Sequence, residues 1–497
     1  MYKCLPLLLI VALIFSSCGR PATGDDEHTT LPASETAALT LRAPYAAQDS
    51  MNPYFCISYI NDALMPLLYD GLFSVGADGA VYPLIGASYT ENGSALTAAL
   101  PVDTVFSDGS ALTAADVVYS FIKAKASALY SGALSGISAA NAVSAYEVQF
   151  LYADSFPGKA ALLTFPIVKN GTAERADSLP VGSGRFVLTR DSDGAVLTVN
   201  PHSGRQGRVG AVSLVETSDT GKLKYMLETG EIDFFCSDLY GARMARSGAT
   251  MYAYSQNSLV YLGAHADYMS RAQRRILAYA VNRAEIADSV YSGFAEAAIL
   301  PFRGQSKLVT ANMDDTLAAA VDTAAAEQML REEGVTYAPA GTLQPVGGET
   351  LSLLVNAESG YRMEAAECIK NNLAQVGITV NIRSLPFAAY TEALENGNYE
   401  LYLGEVKLPG DGSLDAFFGG NAGYGIAETS VAYAAYQAVE DGSGTVAAFL
   451  TAFLEDFPFI PLCFRSDLLV CGGNIAVPGA DEAFGSPLSA LEQWQVV

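Results

Sequence analysis

The residues able to do chemistry are few and scattered. Three histidines, His28, His202 and His265, lie far apart in 497 residues, and there is no H-E-x-x-H or C-x-x-C. Metal chemistry therefore has little support, because ligands must converge at short spacing or on one face. No Ser-His-Asp constellation is visible either. A lone His265 reads as a hydrogen-bonded structural residue. Arg185, in Gly-Ser-Gly-Arg, lacks the Walker spacing and reads as part of a packing turn, not a phosphate loop. What remains is suited to holding a molecule. There are 27 Tyr and 22 Phe, which can wall a pocket, and isolated carboxylates such as Asp411 in Gly410-Asp411-Gly412. Gly-Asp-Gly is also a common turn, so Asp411 has a purely structural alternative. The expectation is binding without catalysis and without a cofactor.

The elements that must position these groups are well signalled. In FSDGSALTAADVVYSF, Phe106 to Phe121, Asp108-Gly109 is a turn signal. Thr113 with Asp116 has the form of a capping box. Val117/Phe121 and Val118/Ile122 give the following helix an apolar stripe. Leu39–Ala43 reads as a strand. Phe186 to Asn200 reads as a hairpin around Ser-Asp-Gly. Helices are expected at Lys222–Thr229, Arg271–Asn282 and Arg362–Val376, the last followed by Gly377 and a strand at Thr379–Leu385. Strand and helix signals alternate along the chain, which favours α/β layers. Gly and Pro cluster at 338–349 and 408–425, the best loop candidates.

Composition bounds the rest. The chain is too long for one core, so two or three packed units are expected. A formal net charge of −25 disfavours nucleic acid or anionic lipid as the main partner. MYKCLPLLLIVALIFSSC carries one Lys and a short apolar run, the pattern of a signal peptide (1–17). Ser16-Ser17-Cys18 resembles the lipobox of bacterial lipoproteins, which implies lipid attachment at Cys18; plain secretion is the alternative. Residues 18–38 are polar and aperiodic and read as a disordered tether. Cys56, Cys236, Cys368, Cys463 and Cys471 remain; five is odd, so at least one stays free.

The opening stretch also carries a resemblance. FSDGSALTAADVVYSF is similar to the signature F-x-D-G-x-x-L-T-A-x-D-V-x-x-S-F of family 5 extracellular solute-binding proteins. Other landmarks follow in order: NPYFCISYINDALMPLLYDGLF (Asn52 to Phe73), VYPLIGASY (Val81 to Tyr89), PVGSGRF (Pro180 to Phe186), LETGEIDF (Leu227 to Phe234), RRILAYAVNRAEIADSVYSGFA (Arg274 to Ala295) and FPFIPL (Phe457 to Leu462). The resemblance implies a two-lobed type II periplasmic-binding-protein fold, with an extra subdomain in the first lobe and the ligand cleft between lobes. The implied lobe I core is 39–70, 180–258 and 464–497, with the added subdomain at 71–179 and lobe II at 259–463. LVYLGAHAD and IPLCFRSDL would cross between lobes.

It also implies a function: the substrate-binding subunit of an ABC importer, a monomer that captures peptide-like solutes and hands them to permease subunits. A surface receptor without a transport role, and a non-peptide solute such as a metal chelate, are the alternatives. The implied cleft residues are Tyr54 and Phe55 after Asn-Pro, Tyr89 in place of a Trp, Asp411, and Tyr424 in the 408–425 segment. Tyr54 and Phe55 could equally be a core aromatic pair. Relatives carry W-x-x-D-x-x-D-P-x-x-F-F, whose first Asp clamps a peptide's amino group. Here GEVKLPGDGSLDAFFGG has no Trp, and the clamp position falls near Leu408. Relatives also often hold a carboxylate with an Arg near LLVNAESGYRMEA; here that spot is apolar and Arg362 is expected on the helix surface. Capped, cyclic or modified peptides therefore join free ones as candidate cargo.

Overall fold

Local signals become local structure where caps and turns dictate it. The computed structural model describes residues 39–192, 194–217, 219–239, 249–309, 323–333, 350–419, 426–479 and 484–496. The helix Ala114–Ala126 starts at Thr113, whose backbone N–H and hydroxyl both donate to the Asp116 carboxylate, at 2.8 and 2.7 Å. Gly109, at φ +79°, makes the preceding turn. The hairpin forms from Phe186–Asp191 and Gly194–Val199. Helices occupy Leu223–Glu228, Arg271–Ala280 and Gly360–Gln375, and the strand Thr379–Leu385 has the expected limits. The 338–349 loop candidate lies outside the described residues.

Among the described residues the strands form five sheets. Leu39–Tyr45 pairs in parallel with Val209–Glu216, which continues into the hairpin to give a four-stranded sheet. Ser88–Asn92, Ala95–Ala99, Ile137–Ser144 and Glu147–Tyr152 form a second, antiparallel sheet. The helix Ala114–Ala126 packs on it, with Phe121 edge-on to Phe150 at 5.9 Å between ring centroids. Two small two-stranded sheets stand apart, Phe73–Val75 with Val81–Pro83 and Ile475–Ala476 with Gln495–Val496.

The seven-stranded sheet joins the two halves of the molecule. Its spine is two long antiparallel strands, Thr250–Ala264 and Phe459–Cys471. At one end the spine pairs with Phe234–Ser237, from Phe234↔Cys471 to Ser237↔Leu468. At the other it pairs with Leu401–Lys407, from Ser258↔Lys407 to Ala264↔Leu401. Two hydrophobic cores result. Tyr254, Leu469 and Cys471 belong to one, with Phe73, Phe121, Phe186 and Trp494. Leu259 to Leu262 and Phe459 to Phe464 belong to the other, with Leu353, Ile369, Tyr436 and Phe449. The register breaks between Ser255 and Ser258 on the first strand, so Gln256 and Asn257 bulge out of the ladder. The architecture is the two-lobed α/β type, and LVYLGAHAD and IPLCFRSDL lie on or against the spine.

None of Cys56, Cys236, Cys368, Cys463 and Cys471 is in a disulfide. Burial pushes the Cys236 thiol up to about 12. Such thiols behave as small apolar side chains.

Candidate functional site

The spine bulge opens onto a cavity of about 300 Å³. This is at the low end of the roughly 300–1,000 Å³ typical of ligand pockets. One wall is the turn Val75–Gly79, closed by Gly76 N–H to Ala80 O at 2.8 Å, together with Pro157, Gly158 and Ala161. The facing wall is Phe302–Leu308 and Leu408–Gly412. Asn257 and Phe464, from the two spine strands, form the floor. Phe302 and Leu408 of the second wall belong to one core, while the segments that carry the first wall place Phe73, Ala160 and Leu162 in the other.

Charged groups sit on or behind these walls. The Asp411 side chain is fully buried. Its Oδ1 accepts the Ser413 backbone N–H at 3.0 Å, and its Oδ2 lies 3.2 Å from Lys159 Nζ. Lys159 Nζ is also 2.7 Å from Asp154 Oδ1. Burial opposes the ammonium, but Asp411 and Asp154 outweigh it, so the Lys159 pKa is raised. The close fit behind this pair needs glycine, since a Cβ on Gly410 would lie 2.2 Å from the Ala161 carbonyl oxygen. The same segment docks further along. Ser155 N–H donates to Glu440 O at 2.7 Å, and the Phe156 ring meets Tyr436 at 5.8 Å.

Arg303 borders the cavity from the other side. Its Nη2 donates to Glu296 Oε2 at 2.6 Å and to Ser255 Oγ at 3.0 Å, and its Nη1 to Gln256 O at 3.1 Å. Its Nε is buried and has no hydrogen-bond partner. Lys307, exposed at the mouth, has no ion pair among the described residues. The other acid on the wall, Asp78, accepts the Ala80 N–H at 2.9 Å within its own turn.

A second buried network lies on the spine. Tyr59 donates to Asp467 Oδ2 at 3.0 Å, and Arg465 Nη1 to Asp467 Oδ1 at 2.5 Å. Arg465 also donates to Glu405, whose other oxygen accepts from Arg362 Nη2 at 2.8 Å. Burial raises the Glu405 carboxyl, but Arg465 and Arg362 outweigh it and hold the pKa below the usual value. The expectation for Arg362 is corrected here. It is not on the helix surface but buried, because the first turn of its helix faces Glu405.

The sequence-predicted cleft residues are dispersed. Asp411 borders the cavity. Tyr54 is 5 % exposed, packs edge-on against Tyr130 and donates its hydroxyl to Pro166 O. Phe55 is 40 % exposed and Tyr89 is 39 % exposed, the latter edge-on to Phe73 at 5.3 Å. These three do not line the cavity. Tyr424 and Cys18 lie outside the described residues. Lys159, Arg303 and Lys307 were not anticipated. The only sequence hint was Pro157-Gly158, a turn signal beside Lys159. Arg185 is buried and donates to Val209 O at 2.8 Å, a packing role. His265 accepts the Asp267 N–H at 3.3 Å. Among the described residues no three His, Cys, Asp or Glu are grouped to hold a metal, and no helix is long and apolar enough to cross a membrane.

Comparison with known proteins places this geometry in context. The curated Protein XP55 of Streptomyces lividans is 24% identical over 457 residues, covering 86% of this chain and 80% of that one. The unliganded open form of MppA, a periplasmic murein tripeptide binding protein, superposes with a TM-score of 0.69 at 16% identity, over 93% of this chain and 98% of that one. NikA from Brucella suis in complex with Fe(III)-EDTA gives 0.70 at 18% identity, over 92% and 99%. The model of the bacterial extracellular solute-binding proteins, family 5 Middle, matches residues 80–424. The chain belongs to family 5 of the bacterial extracellular solute-binding proteins.

Proposed function

We propose that this chain is the extracytoplasmic substrate-binding subunit of an ABC importer. It is held at the cell membrane by lipid on Cys18 and captures a peptide-like solute between its lobes. In this reading the lobe I core is 39–70, 180–258 and 464–497, the added subdomain is 71–179, and lobe II is 259–463. The observation that carries it is a cavity whose walls are carried by segments anchored in the two different cores and whose floor is the shared spine. A ligand there touches both lobes and biases their relative position by its differential affinity for the two arrangements. The protein acts as a monomer, needs no cofactor, leaves its cargo covalently intact, and meets its permease subunits at the membrane.

Native mass spectrometry of the protein purified from its own host tests this. A stoichiometric small organic solute is expected. A bare nickel or haem adduct, or no bound solute after exposure to host extract, would overturn it. A diacylglycerol-sized mass increment on Cys18, with globomycin blocking removal of residues 1–17, tests the anchor.

A further inference from the structure

One short segment ties the two cavity walls together. Residues 154–159 leave the core that holds Tyr152, and the chain is back in that core at Ala160 and Leu162, yet Phe156 between them is buried in the other core. Its ring meets Tyr436 at 5.8 Å. On one side of it the Ser155 N–H donates to Glu440 O at 2.7 Å. On the other, Lys159 Nζ lies 3.2 Å from Asp411 Oδ2. An apolar, a backbone and an ionic contact thus bridge the cores within one short run. Pro157 and Gly158, in the middle of that run, line the cavity.

The segment is arranged to let go as well as to hold. Both ends are fixed within their own core: Ala153 N–H donates to Gly136 O at 2.9 Å, and Leu163 O accepts the Phe73 N–H at 3.2 Å. Lys159 Nζ is also 2.7 Å from Asp154 Oδ1, which accepts the Phe156 N–H at 2.8 Å. On release the ammonium keeps a carboxylate of its own segment, and Asp411 keeps the Ser413 N–H and turns to water. No charge is left buried without a partner, which is what makes breaking most buried pairs costly. What resists release is the Phe156 ring, whose apolar surface must enter water. Gly158, at φ +84°, supplies the bend beside it.

We infer that residues 154–159 form a strap, with Phe156 as its catch, that latches the two walls together and must lift for a solute to enter or leave the cavity. The latch stands on these contacts; the passage of solute beneath it rests on the solute-binding reading above.

The test locks the strap in the full chain. A Cβ on Gly442 would lie 3.4 Å from the Ser155 Cβ, close to the roughly 3.5–4.5 Å that a disulfide spans. Ser155→Cys with Gly442→Cys is compared after oxidation with diamide and after reduction, with Gly442→Cys alone as the control for the altered backbone. One readout is amide hydrogen exchange under the strap, at Leu408, whose N–H donates to Asn257 O, and at Ser413, whose N–H donates to Asp411. The other is native mass spectrometry of uptake from host extract by protein stripped of solute through refolding. Oxidation should slow both by at least about tenfold, and reduction should restore them. Phe156→Ala should quicken the same amides while its circular dichroism stays that of the parent. An oxidised form whose Leu408 and Ser413 amides exchange as in the reduced form would overturn the latch, whether or not solute is retained. Slowed amides with unhindered uptake would overturn the gate. A parent that retains nothing from the extract would sink the solute-binding reading and the gate with it, and amide exchange would still decide the latch.

Discussion

Lys159 Nζ lies 3.2 Å from Asp411 Oδ2, with both side chains buried and the two residues 252 positions apart in the chain. The contact fastens the segment after the second sheet to the Gly-Asp-Gly turn of the other core. It explains why an acid in that turn need not touch cargo. A buried carboxylate is tolerated only with a partner, and here the partner is internal. The ion pair therefore does two things: it holds one edge of the cavity, and it removes a negative charge from the wall.

Removing Lys159 should be costly. Lys159→Met leaves Asp411 buried without its counter-ion, a change worth about 3–5 kcal/mol. The double variant Lys159→Met with Asp411→Asn should be less unstable than the sum of the single changes, because the orphaned charge is gone. Urea unfolding of the four proteins measures the coupling. Additive losses would show that the pair does not interact.

Glu440 predicts a pH effect. Burial, Asp415 and Asp154 push its carboxyl up to about 8 from an ordinary 4.5. The folded state therefore holds a proton that the unfolded state has already lost between these values. Its contribution to stability falls as pH rises from about 4.5 to 8 and is then constant. Glu440→Gln, which keeps the neutral shape, should remove that slope. Melting temperatures from pH 5 to 9 should show the parent losing ground against the variant as pH rises. Parallel curves would refute the assignment.

The spine network predicts the opposite sign. Glu405 is held ionised by Arg465 and Arg362, with its pKa lowered in the fold. Its stabilisation is present above the unfolded value of 4.5 and lost as pH falls through the lower folded value. Glu405→Ala strands two buried guanidinium groups and should cost about 3–5 kcal/mol near neutrality. Its deficit against the parent should shrink in acid. A deficit that is the same at pH 3 and pH 7 would argue that packing, not charge, is lost.

Local chemistry made much of the fold legible. Thr113 with Asp116 and Gly377 after its helix act within a few residues, so their elements were visible in the chain. The ordered family landmarks pointed to two lobes and to the crossing strands. The site was less legible, because its contacts are tertiary. Nothing near Lys159 announces Asp411, and Arg303 gains its meaning only when Glu296, Ser255 and the bulge at Gln256 converge. Arg362 was misplaced for the same reason: helical periodicity gives a face, but Glu405 lies on a strand that only the folded sheet brings against it. Tyr54 was ambiguous between core and cleft, and packing against Tyr130 places it in the core.

Gly410 offers the most direct probe of the contact between the walls. It faces Ala161 so closely that an added methyl would sit 2.2 Å from a backbone carbonyl oxygen, which no rotamer change can relieve. Gly410→Ala must therefore push the Leu408–Gly412 wall away from the Gly158–Ala161 wall. Overpacking of this kind costs about 1–3 kcal/mol. The displacement should also lengthen the Lys159–Asp411 pair and admit water to it. Hydrogen exchange should quicken at Ser155, whose amide is bonded to Glu440 across the same contact. Small-angle scattering should show a larger radius of gyration for the variant. An unchanged exchange rate at Ser155 with an unchanged radius would mean that the two walls yield locally and do not hold the lobes together.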